Sequence, residues 1–197
     1  LTRCRTAALT AMFENGRQYS SRYDEVKMRL LLQREKKAPR YLDCLLMALT
    51  HVAHNCVIGN RVIMSNLASL AGHAVVEDRA VIGGMAGVHQ FVKIGRNAMV
   101  GGMSKLTQDV VPFTIVDGRP AKVVGLNSVG ISRSGIAVEA RRNIKQAYKI
   151  LYRSGLSLQQ AVAVIEQEVT SCDEVDHLLR FLRNAERGIC RERRDND

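Results

Sequence analysis

The chain has 197 residues, 46% hydrophobic and 24% charged, a balance that excludes wholesale disorder. Its formal net charge is +10, and it has no Trp, 5% aromatic residues and three Pro against 15 Gly. A core with so few rings must be built from small aliphatics, which suits a closely stacked, repetitive architecture. Residues 1–43 carry ten basic and five acidic side chains, half of the net excess, and show no regular period. They read as an atypical basic N-terminal segment. No uninterrupted apolar stretch opens the chain and no run approaches ~18 apolar residues, so neither a signal peptide nor a membrane span is expected. Five cysteines stand at irregular spacings without a CxxC pair. That pattern points to free thiols in a reducing compartment and to a cytoplasmic location rather than to zinc or redox chemistry.

A six-residue period begins at Leu46. Steps of six give Leu46, Val52, Ile58, Met64, Leu70, Val76, Ile82, Val88, Ile94, Val100 and Leu106, an unbroken aliphatic series. The series from Thr50 through Cys56, Val62, Ala68, Ala74, Ala80, Ala86, Val92, Ala98 and Ser104 to Val110 is small or β-branched throughout. Neither a helical nor a simple strand period produces this pattern. It predicts a parallel β-helix over residues 44–116, in which three six-residue sides close a triangular coil and each coil pairs only with its neighbours. Pro112 ends the period, and residues 117–135 are expected to form an irregular connection.

Residues 136–197 read as a C-terminal α-helical domain, so that the fold class is mainly β plus α. Ile144, Ala147, Tyr148 and Leu151 mark an amphipathic helix over 137–154, with Gly155 as its stop. Ser157 and Gln160 form a capping box for a second helix running to Val169, and Ser171 with Glu174 is expected to open a third.

Residues eighteen apart stack in such a coil, so His54, His73 and His89 fall in adjacent columns on successive coils, with His51 close by. Converging imidazoles without carboxylates admit three readings: zinc ligands, a general base, or polar turn decoration. Gly72 stacks directly on His54 and lets a carbonyl approach a backbone N–H, which favours acyl transfer over metal.

The strings His51-Val-Ala-His-Asn-Cys, Leu70-Ala-Gly-His and Ile82-Gly-Gly-Met-Ala-Gly-Val-His-Gln-Phe resemble the core of the cytoplasmic UDP-N-acetylglucosamine O-acyltransferases, which begin lipid A synthesis. Gln108-Asp-Val-Val-Pro-Phe and Ala147-Tyr-Lys-Ile-Leu-Tyr-Arg-Ser-Gly extend the resemblance over about residues 44–190. The resemblance implies a left-handed parallel β-helix followed by a helical domain, assembled as a homotrimer with active sites between neighbouring prisms. It also implies transfer of a 3-hydroxyacyl chain from acyl carrier protein, carried on its phosphopantetheine, to the 3-hydroxyl of UDP-N-acetylglucosamine. No other cofactor and no metal is implied.

By the same resemblance, His54 is the general base and the Gly72 N–H is the oxyanion donor. His51, Asn55, His73, His89 and Gln90 are expected at the sugar nucleotide, and Asn127 and Arg133 at its uridine and phosphate end. Gly102 is expected to gate the acyl pocket and, having no side chain, to admit a longer chain. Asn55 stands where the family has Asp, Val129 replaces an acidic position, and Arg133 is followed by Ser134 rather than a second basic residue. Residues 1–43 match none of the family's additional N-terminal coils, which makes the chain an N-terminally truncated or atypical member. The alternatives are a truncated, non-catalytic trimer that binds acyl carrier protein, and the related N-acyltransferase of the same pathway. No basic stripe with interleaved aromatics suggests nucleic acid; the positive charge suits an acidic carrier protein and a diphosphate.

Overall fold

A computed structural model describes residues 43–193. Eleven two-residue strands recur at six-residue intervals: β1 (Leu45–Leu46), β2 (His51–Val52), β3 (Val57–Ile58), β4 (Ile63–Met64), β5 (Ser69–Leu70), β6 (Val75–Val76), β7 (Val81–Ile82), β8 (Gly87–Val88), β9 (Lys93–Ile94), β10 (Met99–Val100) and β11 (Lys105–Leu106). Each pairs in parallel with the strand one coil on, as Leu45 with Ile63, His51 with Ser69 and Val57 with Val75. Three sheets result: β1, β4, β7 and β10 on the first face, β2, β5, β8 and β11 on the second, and β3, β6 and β9 on the third. This is the parallel β-helix expected from the period, with the left hand that the resemblance implies. Of the aliphatic series, Val52 alone is partly exposed, and from Val62 onward the small series is also buried, so both series fill the prism interior. Each buried Ile or Leu contributes about 1.5–3 kcal/mol.

The corners carry a feature that the period did not announce. Residues 43, 49, 55 and every sixth residue to 103 have a left-handed backbone, with φ between 54° and 64°, and none is glycine. A non-glycine residue in that region costs roughly 1–3 kcal/mol. From Leu67 onward the cost is offset because the corner N–H donates to the coil below, as from Leu67 to Ala48 O (3.1 Å), Arg79 to Asn60 O (2.8 Å) and Met103 to Gly84 O (2.8 Å). Each corner is thereby a column of outward side chains with its own chemistry. Leu49, Leu67, Met85 and Met103 form an exposed apolar column between the first and second faces. Asn55, His73 and Phe91 stand between the second and third, and Asp43, Arg61, Arg79 and Asn97 between the third and first. Close stacking also explains the glycines that follow inward aliphatics: a Cβ on Gly83 would lie 2.6 Å from the Gly102 nitrogen.

The segment expected to be irregular is ordered. β12 (Thr114–Gly118) and β13 (Ala121–Leu126) form an antiparallel hairpin that continues the first face beyond β10. The short helix α1 (Ser128–Arg133) follows. Val116 and Val123 are fully buried, so the hairpin covers an open strand edge that would otherwise leave backbone unpaired. Helices α2 (Val138–Arg153), α3 (Leu158–Glu168) and α4 (Asp173–Arg183) then pack through Ala147, Leu151, Ala161, Ile165, Leu178 and Leu182. Ser157 and Gln160 form the anticipated capping box, and Gly155 has the left-handed φ of 73° expected after α2. Ser171 does not cap α4: its hydroxyl donates to the Asp176 carboxylate (3.1 Å), and Cys172 takes the cap position without a side-chain bond.

A polar seam joins the helices to the prism. His177 of α4 meets Glu77 at 2.7 Å, and the same Glu77 oxygen accepts the Arg96 N–H (2.7 Å). Lys93 donates to Asn184 O (2.7 Å), and Arg187 to Thr107 O (3.1 Å). The tail runs back along Asp109 and then Val123, with Cys190 N donating to Asp109 O (2.9 Å) and Arg193 N to Val123 O (2.8 Å). Residues 1–42 and 194–197, and the expectations placed on them, lie outside the described residues.

Candidate active site

Three coils build the histidine corner. The turns that follow β2, β5 and β8 place His54, His73 and Phe91 within one continuous surface. The rings of His54 and His73 are 5.1 Å apart and perpendicular. His73 lies 4.8 Å from Phe91 with the rings almost parallel at 17°. Main-chain bonds hold the register: His73 N donates to His54 O (3.0 Å), and Phe91 N to Gly72 O (3.2 Å).

Gly72 is a steric requirement of this arrangement. A Cβ on it would sit 2.6 Å from His54 Cε1 and 2.7 Å from Nε2, so the imidazole occupies the space any side chain would take. The His54 ring therefore rests on the Gly72 backbone. A hydroxyl proton and a carbonyl oxygen can be served from stacked positions on two successive turns, which is the geometry acyl transfer needs.

Beside the corner, the second face carries an open groove of about 560 Å³ whose lining includes His51, Ala71, Gly72, Gly87, His89 and Lys105. Two of its four outward strand positions are small, Ser69 and Gly87, flanked by His51 and Lys105. A Cβ on Gly87 would meet nothing within 4 Å, so that glycine leaves groove volume rather than relieving a clash. His89 Nδ1 lies 3.1 Å from the Gln90 carbonyl. A carbonyl only accepts, so Nδ1 carries a proton and the Nε2 edge is left for another partner. Asn55 Nδ2 lies 3.5 Å from His73 Nε2. A carboxamide can donate or accept after a flip, so Asn55 can meet either form of the ring. Beneath the corner, Cys56 donates its thiol to Ala71 O (3.1 Å), and burial pushes its pKa up. It is held as a protonated thiol, a poor nucleophile.

The other sequence-derived residues lie apart. Gly102 is exposed between the first and second faces, and a Cβ there would approach no nearer than 3.4 Å to Gly84 O, so a side chain can be accommodated locally. Asn127 is buried and bonded at both ends. Its Nδ2 donates to Asn97 O (2.8 Å), at the corner between the third and first faces, and its Oδ1 caps α1 by accepting from Gly130 N (3.0 Å). Arg133, exposed, closes α1. One chain thus brings together His54, Gly72, His73 and Asn55 but holds Asn127 at a different corner. Among the described residues, no group of three His, Cys, Asp or Glu is placed to hold a metal ion, and no helix is long and apolar enough to cross a membrane.

Comparison with known proteins gives a consistent result. Residues 109–190 match the model of the UDP-N-acetylglucosamine O-acyltransferase family, domain 2. The chain is 53% identical over 146 residues to the acyl-[acyl-carrier-protein]–UDP-N-acetylglucosamine O-acyltransferase of Thermodesulfovibrio yellowstonii, covering 74% of this chain and 57% of that protein. Among solved structures, the UDP-N-acetylglucosamine acyltransferase of Bacteroides fragilis superposes with a TM-score of 0.72 at 38% identity, over 75% of this chain and 58% of the other. The enzyme from Campylobacter jejuni gives 0.72 at 36% identity, over 77% and 59%. The chain therefore spans a little under three fifths of the length of these relatives.

Proposed function

Over about three quarters of its length this chain belongs to the UDP-N-acetylglucosamine O-acyltransferase family, and from that premise we propose that it transfers a 3-hydroxyacyl group from acyl carrier protein to the sugar 3-hydroxyl of UDP-N-acetylglucosamine, the first step of lipid A synthesis. The observation that carries this reading is the His54 ring resting against the backbone of Gly72. In the proposed step His54 takes the proton of the 3-hydroxyl as its oxygen attacks the thioester carbonyl. The Gly72 N–H stabilises the oxyanion while the new C–O bond forms and the C–S bond breaks. The proton then passes from His54 to the departing phosphopantetheine thiolate. Neutral imidazole suffices for this cycle, and no metal or redox group enters it.

Three further features support the assembly and the donor. Asn127 and Arg133 stand away from the histidine corner, so the two parts of the proposed sugar-nucleotide site meet between copies, as in a homotrimer. The apolar column of Leu49, Leu67, Met85 and Met103, 46–64% exposed, offers a surface for a neighbouring copy to cover. Arg142, Lys145 and Lys149 make one exposed basic stripe on α2, suited to an acidic carrier protein.

The test incubates the full chain with 3-hydroxyacyl carrier protein and UDP-N-acetylglucosamine beside a His54→Ala control. Product from the unsubstituted chain, reduced about 10²–10⁴-fold in the control, is expected for a general base. Intact trimers without product would replace the enzyme by a non-catalytic assembly. Product acylated only on nitrogen, from an amino-sugar acceptor, would favour the related N-acyltransferase.

A further inference from the structure

We propose that Phe91 is a positioning residue of this site, holding the plane of His73 and, through it, the lateral position of His54. The inference rests on the reading of His54 as the base. Phe91 is 48% exposed, yet one face of its ring is taken by His73 at 4.8 Å and 17°. At the corner between the first and second faces the equivalent positions hold the exposed aliphatic side chains of Leu67 and Met85. Phe91 is the aromatic of the three histidine-corner residues, and it stands one coil above the imidazole.

The chain of contacts is continuous. Phe91, with φ 64°, is fixed to the coil below through its N–H to Gly72 O (3.2 Å), so the backbone that carries its ring is bonded to the residue on which His54 rests. Its ring sets the plane of His73 by stacking. His73 Nε2 faces the Asn55 amide at 3.5 Å, and His54 meets His73 in a perpendicular contact at 5.1 Å. An imidazole on a surface corner would otherwise sample several χ2 values, because that torsion is broad. With one face on Phe91 and one edge on Asn55, His73 becomes a fixed wall. The wall and Gly72 together leave His54 one lateral position. An aliphatic side chain of similar bulk supplies apolar cover without a flat face, so it does not set that plane.

The experiment compares Phe91→Leu and Phe91→Tyr with the unsubstituted full chain. The stack is read first without substrate, from the NMR positions of the His73 ring protons, which a parallel aromatic ring shifts upfield. Phe91→Leu is expected to move them downfield and to lower kcat about tenfold, with KM for the sugar nucleotide within about twofold. Phe91→Tyr is expected to restore both signals and rate. His73 protons unmoved in Phe91→Leu overturn the proposal. So do moved protons with an unchanged kcat, or a loss of rate that Phe91→Tyr fails to restore. No product from the unsubstituted chain sinks the acyltransferase reading and the positioning role with it, whereas product made equally well by Phe91→Leu sinks the role alone.

Discussion

The prism and the helical layer are stabilised on different principles. In the prism every coil repeats the last, the interior is filled by the same two series of side chains, and main-chain bonds hold strands in an eighteen-residue register. In the layer, helices α2 to α4 share an apolar core, and they are fastened to the prism by polar contacts far apart in sequence, such as His177 to Glu77 and Lys93 to Asn184. The prism is thus robust through repetition, while the layer is held at individual places. Apolar anchors join these bonds: Val111 enters the helical core, Phe113 packs with Ile144 of α2, and Tyr148 of α2 belongs to the prism core. The difference shows where a substitution should spread and where it should stay local.

The largest expected effect comes from the prism interior. Ile82→Ala, at a fully buried position in the middle of the first face, should cost about 2–5 kcal/mol in denaturant unfolding. Its transition should be lost together at strand and helix wavelengths; a helical transition left in place would show that the layer folds independently of the prism. A pair of glycines then separates architecture from site. Gly83→Ala drives a Cβ into the Gly102 backbone and should cost about 1–3 kcal/mol. Gly72→Ala strikes an exposed imidazole, which can move aside. It should lower turnover about 10²–10³-fold with far less change in stability, and equal loss of stability in the two variants would dissolve the distinction.

At the seam, Glu77→Gln weakens the contact with His177 but keeps an acceptor for the Arg96 N–H. It should cost about 1 kcal/mol or less, because the pair is partly exposed, and a larger loss in a double-mutant cycle with His177→Ala would make this bond dominant in docking.

The smallest effect is one of pH. Asp109 is fully buried, one oxygen accepts the Lys93 N–H (2.8 Å), and the other has no partner among the described residues. Burial raises its pKa above 3.8, against the smaller opposing pull of the Lys93 N–H and the Lys93 and Arg187 charges. The folded chain then holds this proton more tightly than the unfolded one. The stability it contributes is complete below pH ~3.8 and is lost as pH rises through the folded value. Asp109→Asn should flatten that decline in thermal melts taken across the acid range, and an unchanged pH slope would remove Asp109 as its source.

Repetition also determined how much could be read from the residues alone. The inward series, the eighteen-residue coil and the meeting of His54 with Gly72 and His73 all follow from counting, because a neighbour in space is at a constant distance in sequence. The hairpin of β12 and β13 did not follow, because Pro112 breaks the count and two Pro with several Gly resemble a loop. The pairing of His177 with Glu77 has no local signal at all, lying 100 residues apart. Ser171 has the spacing of a cap, but Asp176 competes for its hydroxyl. The left-handed corners left no mark because none of the eleven residues is a glycine; from Leu67 onward their strain is absorbed by bonds to the coil below. Phe91 could have been found by one more step of eighteen from His73.

The three corner columns set rules for how such a chain can change its length. Deleting one hexapeptide would preserve both inward series, and with them the filled interior. Everything after the cut would nevertheless turn by one face, bringing Phe91 onto the apolar edge and a charged residue into the place of an imidazole. Stability would hardly register the edit, while the surface would be rewritten. Only a loss or gain of eighteen residues keeps every column in its own corner, so insertions that spare the site must come in whole coils.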